Sequence, residues 1–422
     1  MDEIVIEGGR PLKGVVRVSG AKNSALPIFA ATLLAPGEFD ITNVPDLMDV
    51  RTIVKIIREF GAGVEKTGES SYKVNSDNIN NHEAPYELVK TMRASCLALG
   101  PLLARLGRAK VSLPGGCAIG ERPIDQHLKG LAALGAHIDL AHGYVDARLD
   151  GRMKGTRITM DLVTVTGVMN IMMAAVFADG QTVIENAARE PEVVALADFL
   201  NSMGAHITGA GSPHIVIEGV RELKAMPVRN IADRIEAGTF MTAAAITRGD
   251  VMVSGVDPVN VAALSDKLKE AGCQITETGE DINVKGPEVV KPVDVTTAPF
   301  PGFPTDMQAQ IMALMCVSSG ASVITETIFE NRFMHVAELR RMGADISVHG
   351  HTATVKGIKN LSGAPVMATD LRASASLVVA ALAAEGQSVI SRVYHLDRGY
   401  EHIETKLAGL GATIHRRKGG HV

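Results

Sequence analysis

The stretch PGGCAIGERP, residues 114–123, gathers residue types that do chemistry. Cys117 lies among Gly115, Gly116 and Gly120, with Arg122 close behind it. Glycines free such a segment to hinge, and a nearby cation with partial exposure lowers a thiol's pKa and raises its reactivity. One reading is an acid or nucleophile carried on a lid; the other is an ordinary loop cysteine. The remaining cysteines differ. Cys96 and Cys316 lie in apolar helical runs, and Cys273 takes the alanine place of a recurring Gly-Ala pair, so all three are expected in the core. No CxxC, Cys/His or HExxH spacing occurs, so neither a metal nor a redox cofactor is expected. Neither a P-loop nor a GxGxxG is present.

Charges recur at the starts of alanine-rich helical runs. Lys22 opens one in SGAKNSALP, Arg93 one in KTMRASC, Asp233 and Arg234 one in IADRIEAG, Asp306 one in FPTDMQAQ and Arg372 one in TDLRASAS. A cation there has the wrong sign for the helix dipole. Repetition of the misfit predicts a bound anion, because helix N-termini themselves favour anions. The alternative is local pairing, Asp370 with Arg372 and Asp233 with Arg234. Asp306 alone reads as a first-turn acid that suits the dipole. A second shared position, the loop after the following strand, carries Arg122, Glu190, Arg332 and Arg398, and His127, His335, His395 and His402 flank these loops.

The elements that must position these residues repeat. The phrases IREFGAGVE, LAALGAHID, LNSMGAHIT, LKEAGCQIT, LRRMGADIS and LAGLGATIH place Gly61, Gly135, Gly204, Gly272, Gly343 and Gly411 at intervals of 68 to 74 residues. Each reads as an amphipathic helix stopped by glycine before a strand. An alanine-rich helix apolar on every side, and therefore buried, precedes a further strand in each unit. The pattern predicts an α/β fold of six repeats around buried helices. The size limit of a single core favours two domains of three repeats, with a ligand cleft between them.

The chain has 422 residues, 46% hydrophobic and 21% charged, and a formal net charge of −5. That suits a globular protein with a large core and argues against a nucleic-acid surface. The opening MDEIVIEGG lacks the basic and apolar regions of a secretory signal, and no apolar run approaches the ~20 residues of a membrane span. A cytoplasmic protein with free thiols is expected.

Taken in order, SGAKNSALP, KTMRAS, PGGCAIGERPID, ENAAREPE, DRIEAGTF, FPTDMQAQ, TETIFENRFMH, ATDLRASASL and YHLDRGYEHIE resemble the UDP-N-acetylglucosamine 1-carboxyvinyltransferases (enolpyruvyl transferases), over nearly the whole chain. The resemblance implies a two-domain inside-out α/β barrel: residues 22–231 as one domain carrying the Cys117 lid, residues 1–21 plus 232–422 as the second, and the active site in the cleft. It implies transfer of the enolpyruvyl group of phosphoenolpyruvate to the 3′-hydroxyl of UDP-N-acetylglucosamine, with loss of phosphate, by addition and elimination, as the first committed step of peptidoglycan synthesis.

Site residues follow from the matched motifs. Cys117 resembles the general acid, the site of a phosphoenolpyruvate adduct and the target of fosfomycin. Asp306 resembles the base for the sugar hydroxyl. Lys22, Arg122 and Arg398 resemble the cations on phosphoenolpyruvate, with Asn23 and Arg372 beside them. Arg93, Arg122, Pro123, Ile124, Asp125, Gln126, Leu162, Val163, Thr164, Val165, Asp306 and Ile328 match UDP-sugar contacts, and Glu190, Asp233, Arg234 and Arg332 match supporting positions. Met48, Leu162 and Gln126 depart from the family pattern near the nucleotide. Two alternatives are a 5-enolpyruvylshikimate-3-phosphate synthase, which lacks the cysteine lid and the SGAKNSA opening, and a non-catalytic UDP-sugar sensor, which has no reason to keep both acid and base.

Overall fold

The computed structural model describes residues 2–89, 93–113 and 124–419, the side chains of 93 and 94 excepted. Six four-stranded sheets contain all the named strands. One repeat shows the plan. The short strand Val295–Thr296 lies parallel to Ala321–Thr325, with the buried helix Gln308–Met315 between them in sequence. Ala321–Thr325 then pairs antiparallel with Thr352–Lys356, and that strand with Asp345–His349. The outer helix Val336–Arg341 connects the second strand to the hairpin.

The chain divides into two compact units. A continuous unit takes the described residues from Gly20 to Ile231; a split unit takes those up to Ser19 and those from Ala232 on. The split unit needs the chain's first residues. Asp2–Glu7 pairs with both Gln387–Ser391 and Thr413–Lys418, and Lys13–Arg17 runs parallel to Asp250–Ser254. Each unit has its own apolar core.

Alanine-rich sequence dictates the interior. In the helix Arg234–Ile246 every residue from Ile235 on is buried, in Gln308–Met315 all are, and in Leu371–Ala383 the run Arg372–Leu382 is. These three pack on one another. Small side chains let the backbones approach, and a helix without a polar face has nowhere else to go. The outer helices keep one polar face, as in Met48–Glu59, where Val50, Ile53, Val54, Ile56 and Ile57 are buried. The six repeat glycines all have φ between 91° and 110°. A side chain is disfavoured in that left-handed turn, which is why glycine recurs there. No helix among the described residues is long and apolar enough to cross a membrane.

Candidate active site

In the split unit the start of one helix, through Arg372, and one loop, through Arg332, converge on Asp306. This residue sits in the 3-10 turn Thr305–Met307 that leads into Gln308–Met315. Arg332 Nη2 donates to its Oδ1 at 2.8 Å, and Arg372 Nε donates to its Oδ2 at 3.2 Å. Both arginines are buried. Arg372 Nη2 also lies 3.8 Å from Asp233 Oδ2. The guanidinium of Arg372 rests 5.3 Å from the ring centroid of Tyr400. Burial works against the charge of Arg372, but Tyr400, Asp233 and Asp306 outweigh it and raise its pKa above the ordinary value.

The local-pairing alternative does not describe these residues. Asp370 uses its carboxylate as a helix cap, accepting from the main-chain N–H groups of Arg372 and Ala373 at 3.0 and 2.9 Å. Asp233 caps its own helix through Ile235 and Glu236. Arg234 lies over the ring of Phe300, 5.7 Å from its centroid. Each cap satisfies N-terminal N–H groups, so the guanidinium of Arg372 is left to reach across to another element.

Two buried guanidinium nitrogens, Arg332 Nη1 and Arg372 Nη1, have no acceptor among the described residues. An unmet buried donor is costly, and an anion bound between them would meet it. His335, fully buried nearby, has its pKa pushed down to about 4, first by burial and then by Arg332, against the pull of Asp370. It is a neutral imidazole. Arg398 ends the 3-10 stretch Val393–Arg398, half-buried, and Ile328 stands 36% exposed.

In the continuous unit Lys22 is the first residue of its helix and is buried, with Nζ 2.9 Å from Asp49 Oδ2. Asp49 is itself buried in the first turn of Met48–Glu59. The misplaced cation of one helix is thus balanced by the first-turn acid of another. Asn23, next to Lys22, is exposed, and so is Met48.

Gln126 is buried in the helix Asp125–Ala133, which follows Ile124. Its amide donates to Asp125 and Asp161, both at 3.1 Å, and its Oε1 accepts from Asp161 N at 2.9 Å. This glutamine ties its helix to the segment before Leu162. A hydrogen bond from Lys129, and then one from Gln126, lower the pKa of Asp161. Leu162 and Val163 are exposed apolar residues, 66% and 39%. Thr164 accepts from Gly167 N as the cap of the helix that Val165 begins. Glu190 is the buried cap residue of Pro191–Ser202. His127 is buried, with its ring nitrogens 3.2 Å from Thr166 Oγ1 and 3.0 Å from Asn170 Nδ2.

Against this geometry stand the comparisons. The family profile described as EPSP synthase (3-phosphoshikimate 1-carboxyvinyltransferase) matches residues 6–407. A protein of Trichlorobacter lovleyi named UDP-N-acetylglucosamine 1-carboxyvinyltransferase is 60% identical over 416 residues, 99% of each chain. One of the same name from Myxococcus xanthus is 60% identical over 421 residues, 99% of this chain and 100% of that one. The chain belongs to the UDP-N-acetylglucosamine 1-carboxyvinyltransferase family. The enolpyruvyl transferase NikO from Streptomyces tendae shares the fold, with a TM-score of 0.88, 26% identity and 98% coverage of both chains.

As a member of the carboxyvinyltransferase family, the chain carries the two-domain α/β fold expected from its six repeats. The structure brings Asp306, Arg332, Arg372 and Asp233 together in the split unit, and Lys22 together with Asp49 in the continuous unit. Cys117, Arg122 and Pro123 lie outside the described residues, as does the side chain of Arg93. Sequence reasoning missed Asp49 and Tyr400. Asp49 had a signal: an acid in the first turn of a helix, in a chain with cations at several other helix starts. Tyr400 had only its place in the DRGYEH motif. Among the described residues no three His, Cys, Asp or Glu side chains group as a metal site.

Proposed function

We propose that this chain transfers the enolpyruvyl group of phosphoenolpyruvate to the 3′-hydroxyl of UDP-N-acetylglucosamine and releases phosphate. The relatives that are 60% identical over their full length carry the name of that activity. The observation that best supports the chemistry is Asp306 held between Arg332 and Arg372. Both carboxylate oxygens accept from a guanidinium, and a carboxylate offers acceptor sites only. A sugar hydroxyl can therefore hydrogen-bond to Asp306 and give up its proton there.

In the addition step the 3′-oxygen bonds to C2 of phosphoenolpyruvate, and Asp306 takes the hydroxyl proton. The C2–C3 double bond takes a proton at C3 from the Cys117 thiol. In the elimination step the C2–O bond to phosphate breaks, C3 returns a proton to the Cys117 thiolate, which restores the double bond, and the proton taken by Asp306 leaves with the phosphate. Lys22, Arg122, Arg372 and Arg398 offset the substrate's phosphate and carboxylate charges, with Asn23 beside Lys22. Fixed cations in a dry site stabilise developing charge without reorganising. Ile124, Asp125, Gln126, Leu162, Val163, Thr164, Val165 and Ile328, with Arg93 and Pro123, receive the UDP-sugar, and Leu162 and Val163 offer an apolar face for the base. Glu190, Asp233, Arg234 and Arg332 support these groups. The same reading makes Cys117 the target of fosfomycin and assigns the chain to the cytoplasm as a step of peptidoglycan synthesis.

The test is a phosphate-release assay. Release from phosphoenolpyruvate that requires UDP-N-acetylglucosamine supports the reading. No release from folded protein that still binds the UDP-sugar would overturn it in favour of a sensor.

A further inference from the structure

Glu326 follows the strand Ala321–Thr325 and is 1% exposed. Its Oε1 accepts from Thr297 Oγ1 at 2.9 Å and from the main-chain N–H groups of Ile328 and Phe329 at 2.8 and 3.2 Å. Its Oε2 accepts from Thr305 Oγ1 at 2.8 Å. No cation pairs with it among the described residues. A carboxylate presents acceptors only, and four neutral donors converge on this one.

The donors belong to two parts of the candidate site. Ile328 and Phe329 begin the loop that delivers Arg332, whose guanidinium holds Asp306. Thr305 is the residue before Asp306. Its 3-10 turn is three residues long and has no side-chain cap, and so short a turn has little stiffness of its own. The bonds close a ring: Glu326 to Thr305, Thr305 along the chain to Asp306, Asp306 to Arg332, and Arg332 back along the loop to Glu326.

We propose that Glu326 is a positioning residue that fixes the carboxylate-bearing turn of Asp306 and the arginine-bearing loop in one register, through Thr305 on one side and Ile328 and Phe329 on the other. The proposal rests on the reading of Asp306 as the base. It separates two effects. Thr305 controls where the base stands, whereas the two main-chain bonds from Ile328 and Phe329 to Oε1 control the loop that carries Ile328 and Arg332, and Thr297 anchors that oxygen to the neighbouring strand end.

The test is steady-state kinetics on the full chain with phosphoenolpyruvate and UDP-N-acetylglucosamine. Thr305→Val keeps the shape and removes one bond. It is expected to lower kcat about tenfold or more, with KM for the UDP-sugar within about twofold. Glu326→Gln can keep its carbonyl toward Thr297 and the two loop donors, while the Thr305 hydroxyl turns to accept from the new amide; kcat is expected within about threefold of wild type. Glu326→Ala orphans four donors and is expected to lose about 100-fold in kcat and to raise KM as well. If that variant fails to fold, the first two decide. Wild-type kcat in Thr305→Val, or equal damage from glutamine and alanine at 326, would overturn the proposal alone. A wild type without turnover would overturn the parent reading and this one together.

Discussion

Arg372 sits two residues after an aspartate and bonds to a different one. Its partner Asp306 is 66 residues away in sequence, so residue type and helix position were legible while the choice of partner was not. The same holds for Lys22 and Asp49. Pairing across elements depends on packing that periodicity does not encode. Two predictions belong to this scale. Asp306→Asn keeps the shape but cannot take a proton, and kcat should fall about 10²–10⁴-fold while the protein still binds the UDP-sugar in calorimetry. Undiminished turnover would remove Asp306 from the base role. Cys117→Ala should likewise lose most turnover yet keep its fold. Burial pushes the Cys273 and Cys316 thiols up to about 12, so they stay protonated and inert. Fosfomycin is therefore expected to add one group to the wild type and none to Cys117→Ala; an equal adduct in both, read by intact mass, would place the reactive thiol elsewhere.

The six helix-stop glycines were legible because a left-handed turn leaves a mark on sequence; the edge strands were not. Glu83–Ala84, Val228–Arg229 and Val295–Thr296 are two residues long, too short to show a period of two. They are strands because a neighbour offers them a ladder. The glycines are not equivalent. A side chain at Gly135 meets nothing within 4 Å, whereas one at Gly61 would lie 2.2 Å from the Asn78 carbonyl oxygen. Gly135→Ala should cost only the left-handed conformation, about 1–2 kcal/mol. Gly61→Ala should cost more, because backbone must move. Urea unfolding of the two variants measures the difference, and equal losses would contradict it.

At the scale of the molecule, six repeats announce the fold class, but not that the N-terminal strand completes the last repeat. Asp2–Glu7 occupies an inner place in a sheet otherwise built from residues after 364. That closure is a property of topology, and the repeat phrases around Gly61 and Gly411 carry no trace of it. Stability also belongs to this scale. The folded pKa of His335 lies near 4, below the ordinary value of 6.5, so the unfolded chain binds the proton first as pH falls. The stability of neutral His335 is present above about 6.5 and lost as pH falls toward 4. Between those limits the His335→Gln variant should lose stability with acid less steeply than wild type, by about one proton. Equal slopes in denaturant titrations would show that His335 is not the group responsible.

One measurement bears most directly on the central claim: which product forms when phosphoenolpyruvate, UDP-N-acetylglucosamine and shikimate 3-phosphate are offered together. The products are separated and identified by mass. The expected result is the enolpyruvyl ether of the UDP-sugar alone, with one phosphate released per ether formed. The enolpyruvyl ether of shikimate 3-phosphate, or phosphate release with neither ether, would contradict it.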